Sequence, residues 1–210
     1  QQKKDFHHLQ EVINQGMPVV LFDRISNDIL CDKVIIDDQL AAYEATNFLI
    51  SKGLKKIALL TTVDYVSVGK LRTDGYLNVL HDHGIEVDEN LIIRIEDTEH
   101  CDEKINELLE NQSIDAILAV NELFAVTAIK LAMSKGIKIP EDLSVVAFTD
   151  GIISKYSTPT ITTISQNGIK MGRKAAEMLI NRLELEDEDD EHYRTEIIET
   201  NLIIRESTKS

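Results

Sequence analysis

The sequence predicts an α/β fold built on doubly wound parallel sheets, and three observations carry that expectation. Four times the chain runs from a helix through a glycine into an apolar strand: Gly16 before MPVVLFD, Gly53 before LKKIALLT, Gly84 before IEVDENLIIRI and Gly136 before IKIPEDLSVVAF. The strands themselves (PVVLFD, KVIID, KIALLT, DAILAV, SVVAFT) are continuous apolar runs rather than alternating ones, the pattern of a sheet covered by helices on both faces. The helices carry the complementary period. Ala125, Ala128, Ile129, Ala132 and Met133 fall at i, i+3, i+4, i+7 and i+8, and Ile169, Gly172, Ala176, Leu179, Ile180 and Leu183 form a similar stripe.

Taken in order, the first helix ends at Gly16, because a residue without Cβ closes a last helical turn in the left-handed region at no steric cost. The next strands stop on Asp23 and Arg24, then on Asp37 and Asp38. KIALLT stops on Thr61 and Thr62, the strand after Gly84 on Asp97 and Thr98, DAILAV on Asn121 and Glu122, and SVVAF on Thr149 and Asp150. From Gln166 the rhythm changes to one helix, the acidic run ELEDEDDE at 184–191, and a last strand pair within TEIIETNLIIRES. The acidic run lacks the ligand spacing of a calcium loop and reads as a solvated connection.

Composition narrows the function. With 210 residues and 43% apolar content the chain can bury a full core, as one large domain or two smaller lobes. Its 22 basic residues against 37 acidic ones give a net charge of −15, which repels a phosphate backbone, so this stretch is not itself expected to hold nucleic acid. Cys31 and Cys101 lie far apart with no metal spacing, and read either as free thiols of a reducing cytosol or as a disulfide. No apolar stretch approaches the ~18 residues of a membrane span, and QQKKDFHHLQ has no apolar signal core, so a cytoplasmic protein without membrane contact is expected.

Enzyme chemistry leaves no trace in the motifs. Neither G-x-G-x-x-G nor a P-loop occurs, no G-x-S-x-G elbow is present, and His81 and His83 at i and i+2 point to different sides of a helix. No cofactor or metal is expected, and no pair of carboxylates is set apart for acid and base work. What remains is the row of polar strand ends. Ligand crevices of open α/β sheets lie beyond the carboxyl ends of the strands. Residues such as Asn121 are equally good helix N-caps, so each admits both readings. As a set, carboxylates, amides and an arginine along one edge suit a polyhydroxylated ligand.

The segments GMPVVLFDR, VIIDD, AxxFLISKGLKKIALL, RxxGY at Arg72 to Tyr76, DAILAVNE, GIKIPEDLSVVAFTD, TITTISQ and MGRKAAEMLI resemble, in order and spacing, the effector-binding core of the LacI/GalR family of bacterial transcription regulators, over about Leu9 to Thr208. The resemblance implies a periplasmic binding protein-like fold of type I, with two Rossmann-like lobes on parallel sheets and a ligand between them. It places residues 1–37 and 167–192 in an incomplete amino-proximal lobe and 38–166 and 193–210 in a complete carboxy-proximal lobe, with crossovers near Asp37, near Ile164 to Gln166 and near Tyr193 to Glu196. The family's helix-turn-helix has no counterpart here, so a truncated chain is expected, with a strand edge that meets a partner chain.

By the same resemblance the effector is a small molecule, first of all a sugar or sugar derivative, held by Asp37, Arg72, Thr98, Asn121, Thr149, Asp150 and Gln166. The family's aromatic platform near Thr98 is a small hydroxyl, its Asn-Asp pair is Asn121-Glu122, and its usual Asp is Thr149, which leaves Asp150 one residue late and turned toward the loop. A homodimer is implied through the helix bearing Ala125 and Ile129 and the loop at Tyr156, with operator DNA bound through the missing domain and the effector acting by lobe closure. A periplasmic sugar-binding protein of transport or chemotaxis shares the fold and is the alternative.

Overall fold

In a computed structural model, described over residues 7–26, 28–63, 67–96, 100–184 and 192–209, the helix-to-strand phrase repeats as read. Gly16, Gly53, Gly84 and Gly136 all take positive φ, from +62° to +83°, at the four helix exits. The chain begins with α1 (His7–Asn14), β1 (Val20–Phe22), β2 (Asp32–Ile35), α2 (Asp38–Ser51), β3 (Ile57–Thr62) and α3 (Ser67–Asp82). It continues through β4 (Ile92–Ile95), α4 (Cys101–Asn111), β5 (Ala116–Ala119), α5 (Glu122–Ser134), β6 (Ser144–Phe148) and α6 (Ile152–Tyr156). The last elements are β7 (Thr162–Ser165), α7 (Gly168–Glu184), β8 (Thr195–Ile197) and β9 (Asn201–Ile203).

Two compact units result, one of residues 1–37 with 167–199 and the other of 38–166 with 200–210. The larger unit holds a six-stranded sheet ordered β4-β3-β5-β6-β7-β9, parallel except for β9, which runs antiparallel to β7. Its central strands β5 and β6 are buried at every position, with Leu118 paired to Val146 and Ala119 to Ala147, which accounts for their unbroken apolar sequences. Helices α2 and α3 cross closely because Gly75, the glycine of RxxGY, has no side chain: a Cβ there would lie 2.1 Å from the Gln39 carbonyl oxygen. Beside it the buried Tyr76 hydroxyl donates to the Ile57 carbonyl at 2.8 Å. The C-terminal segment is stapled to the sheet by buried hydroxyls, with Ser207 Oγ donating to the Val145 carbonyl and accepting from the Thr162 amide at 2.8 Å.

The smaller unit holds a parallel three-stranded sheet ordered β1-β2-β8, covered by α7 through Met171, Ala175 and Met178. Here the expected last strand pair separates. Residues 195–197 pair with β2, Lys33 to Thr195 and Ile35 to Ile197, so they belong to the smaller unit, and the third crossing falls between Glu199 and Thr200 rather than at 192–193. The reason is a polar tie at the start of β2. The buried Asp32 carboxylate accepts from Arg182 on α7, with Nη2 to Oδ1 at 3.0 Å, and from the Arg194 backbone amide at 2.7 Å, which delivers the chain to the β2 edge. Cys31 and Cys101 are buried free thiols, and burial pushes both above the ordinary thiol range. The acidic run at 185–191 lies outside the described residues. Among the described residues no helix is long and apolar enough to cross a membrane.

Candidate functional site

Arg72 organises the polar end of the larger unit. It sits on α3 and is only 3% exposed. Its Nε donates to Asp38 Oδ1 at 2.8 Å, its Nη2 lies 2.7 Å from the same oxygen, and its Nη1 donates to the Val120 carbonyl at 2.7 Å. The guanidinium plane lies over Phe148, with Cζ 3.8 Å from the ring centroid. One side chain thus gathers the start of α2, the residue after β5 and the last residue of β6. A fork bonded on two sides and stacked on a third is fixed in direction, which is what recognition of a polar ligand requires.

The sequence singled out Asp37 at this crossing, yet Asp37 is exposed, and Asp38 is the buried carboxylate that meets Arg72. Phe148 was legible only as a strand residue, although an aromatic in the last buried position of a strand ending at the rim is a usable signal. Asn121 caps α5, its Oδ1 accepting from the Phe124 amide at 2.8 Å. Glu122 reaches the next loop, where its Oε1 accepts from the amides of Gly151 at 2.8 Å and Ser154 at 3.0 Å. A Cβ on Gly151 would stand 2.2 Å from that carboxylate, so the glutamate and the glycine fit only together.

Thr149 is half-buried, and its carbonyl accepts from Ser154 Oγ at 3.3 Å. Asp150 is turned aside: its carboxylate is held by Arg205 Nη2, by Lys155 Nζ at 3.2 Å and by Thr163 Oγ1 at 3.2 Å. Burial raises the Asp150 carboxyl, but Arg205 and Lys155 outweigh it and hold the group below its ordinary range. Gln166 is half-buried and is the last residue of the larger unit before the second crossing. Thr98 lies outside the described residues. Thr61, at the end of the fully buried stretch of β3, shares a buried hydroxyl contact of 3.2 Å with Thr73, which donates to the Gly69 carbonyl.

The residues expected at a dimer face divide. Ala125 and Ile129 are packed into the chain's own core, at 0% and 2% exposure, and so cannot contact a partner; with Ala128 and Ala132 they form the face of α5 that packs on β5 and β6, whereas Met133 at the end of the same stripe is exposed. The exposed apolar residues of α5 and α6 are instead Leu123, Met133, Ile152, Ile153 and Tyr156, the last 82% exposed. Among the described residues no group of three His, Cys, Asp or Glu side chains could hold a metal. His83 meets Asn47 Oδ1 at 2.8 Å. Two surface cavities, of about 400 and 440 Å³, lie along β4 and α4 and beside α7 and β8, and none of the sequence-selected residues lines either.

Comparison with known proteins identifies the fold and the family. Residues 46–208 match the model of the periplasmic binding protein-like domain. The chain is 35% identical over 174 residues to the HTH-type transcriptional regulator MalR of Clostridium butyricum, covering 82% of this chain and 51% of that protein. It is 31% identical over 197 residues to the ribose operon repressor of Haemophilus influenzae, covering 93% and 58%. Its fold superposes on a transcriptional regulator CelR–cellobiose complex with a TM-score of 0.85 at 28% identity, covering 95% of this chain and 61% of that one. The chain therefore spans about half the length of the curated relatives it matches. These relatives are named as transcriptional regulators, not as enzymes or transport proteins. The family model covers well over half of the chain, so the chain belongs to the periplasmic binding protein-like domain family, and its relatives and structural neighbours are transcriptional regulators, among them members of the LacI family.

Proposed function

We propose that this chain is the effector-binding and dimerisation portion of a cytoplasmic LacI-type regulator without enzymatic activity, and that its effector is a small sugar or sugar derivative. The observation that carries the reading is the buried Arg72 fork, fixed by Asp38, the Val120 carbonyl and the Phe148 ring at the end of the sheet where Asn121 and Thr149 also stand. The relatives' names point the same way, one being a ribose operon repressor and one a regulator in complex with cellobiose. Asp37, Thr98, Asp150 and Gln166 remain candidate contacts. Effector occupancy would be carried to operator DNA, bound elsewhere in the whole protein, through the three crossings at 37–38, 166–167 and 199–200. The exposed residues Leu123, Met133, Ile152 and Tyr156 are the proposed homodimer face.

Thermal unfolding of the chain in a panel of neutral mono- and disaccharides, ribose and cellobiose included, tests the effector class. A true effector at one hundred times its Kd should add about 2.7 kcal/mol of stability. The response should vanish in Arg72→Ala while the variant still unfolds cooperatively. A saturable response that Arg72→Ala leaves intact would place the site elsewhere.

A further inference from the structure

We propose that Asp38 sets the charge class of the effector: by cancelling Arg72 before anything binds, it suits the site to a neutral polyhydroxylated molecule and turns away phosphorylated or carboxylated ones. The proposal rests on the reading of the Arg72 cluster as the effector site. A lone arginine fork is an anion receptor, because its planar N–H pairs match phosphate and carboxylate geometry. Here that fork is already met by a carboxylate, Nε and Nη2 both on Asp38 Oδ1, and its Nη1 is turned to the Val120 carbonyl. Both side chains of the ion pair are almost wholly buried, at 4% and 7% exposure, where like charges repel far more strongly than in water. An anion approaching the fork meets a carboxylate at contact distance.

A sugar hydroxyl faces the same pair differently. Each hydroxyl both donates and accepts, so one can donate to Asp38 while another accepts from Arg72, with neither ion displaced. Charged groups on the neighbouring strand ends are acidic or already paired. Asp37 is exposed next in sequence, the Glu122 carboxylate sits on the Gly151 and Ser154 amides, and Arg205 and Lys155 are drawn onto Asp150. The apolar face of Phe148 under the guanidinium fixes its plane without adding charge.

Inorganic phosphate is the probe, because its response to Asp38 does not depend on knowing the effector. In calorimetric titration at constant ionic strength the unaltered chain should show no saturable phosphate binding. Asp38→Asn keeps an oxygen for the Arg72 Nε but removes the charge, and should bind phosphate at least about tenfold more tightly. Asp38→Asn combined with Arg72→Met should lose that gain, which assigns it to the fork. Phosphate binding of equal strength in the unaltered chain and in Asp38→Asn would overturn the proposal, and so would a variant that gains nothing. If Asp38→Asn does not fold, the unaltered chain decides alone: saturable movement of the Val120 and Phe148 amide resonances with phosphate overturns the proposal, and unmoved resonances uphold it. Failure of the sugar panel with the phosphate result intact would remove the effector class while leaving the role of Asp38.

Discussion

The six-stranded unit and the three-stranded unit are written in the same phrase of helix, glycine and strand, yet they hold together by different means. In the larger unit β5 and β6 have a neighbour on each edge, α5 packs on both and α2 on β5, and all their residues are buried. In the smaller, β1 and β8 are the sheet's edges and leave Phe22 and Ile197 more than half exposed, while Val34 on the central strand is fully buried. What the smaller sheet lacks in buried area it replaces with the Asp32 tie to Arg182 and to the Arg194 amide, reinforced by Arg182 Nη2 on the His192 carbonyl and its guanidinium 4.9 Å from the Tyr193 ring. Burial is spread over many side chains, but a polar tie is concentrated in one. The two units should therefore break differently.

The largest effect belongs to the larger unit. Phe148→Ala empties a fully buried aromatic site and should cost about 4 kcal/mol in urea unfolding, by lost transfer energy and the cavity left behind. The same change removes the face on which Arg72 lies, so any sugar response should fall with it. Next comes Asp32→Ala, which strands Arg182 with part of its partners gone and should cost about 3 kcal/mol. Hydrogen exchange separates the two. Asp32→Ala should speed exchange at residues 33–35 and 195–197 and spare 116–119, and uniform acceleration across both sheets would erase the contrast.

Acid should reproduce the second effect. Burial raises the Asp32 carboxyl, but the Arg182 side chain and the Arg194 amide outweigh it and hold the group below its ordinary 3.8. A folded-state pKa below the unfolded one means that this stabilisation is complete above the unfolded value and is lost as pH falls through the folded value. Exchange protection of 195–197 should therefore weaken below about pH 4. The Asp150 carboxyl is shifted in the same direction, but there it is a single tie on a sheet already held by burial.

Asn121→Ala ranks third. The lost α5 cap should cost about 1 kcal/mol, and Asn121→Asp, which keeps an acceptor for the Phe124 amide, should recover most of it. If Asn121 also touches the effector, Asn121→Asp restores stability without restoring sugar binding. Calorimetry on both variants thus separates the two roles that the sequence left open for this residue.

The same contrast explains what could be read from the sequence. Strands such as KIALLT and SVVAF were legible because burial on both faces leaves no polar alternation, and the four glycines because each helix exit needs positive φ. No local pattern places the third crossing at 199–200, because β8 is drawn to β2 by Asp32, a contact between residues 150 and more positions apart in the chain. Asp37 and Asp38 are adjacent and chemically alike, so only the turn into α2 decides which is buried against Arg72. Ala125 and Ile129 mark the inner stripe of α5, and periodicity identifies a buried stripe without saying whether the chain itself or a partner covers it.

The smallest effect tests the edge of the smaller sheet. Ile197 is 61% exposed on the edge strand β8, so replacing it by lysine removes little buried area and should change stability by no more than about 0.5 kcal/mol. Lysine on an edge strand opposes pairing with a further strand, because the charge would have to be desolvated between two backbones. If copies of this chain join through that edge, sedimentation velocity should show Ile197→Lys shifted toward the single chain at a concentration where the unaltered chain associates, whereas Tyr156→Ala should act on association through the α5 and α6 face. Equal masses for Ile197→Lys and the unaltered chain would mean that the edge does not recruit a partner. The smaller unit would then keep its three strands through the Asp32 tie and the cover of α7 alone.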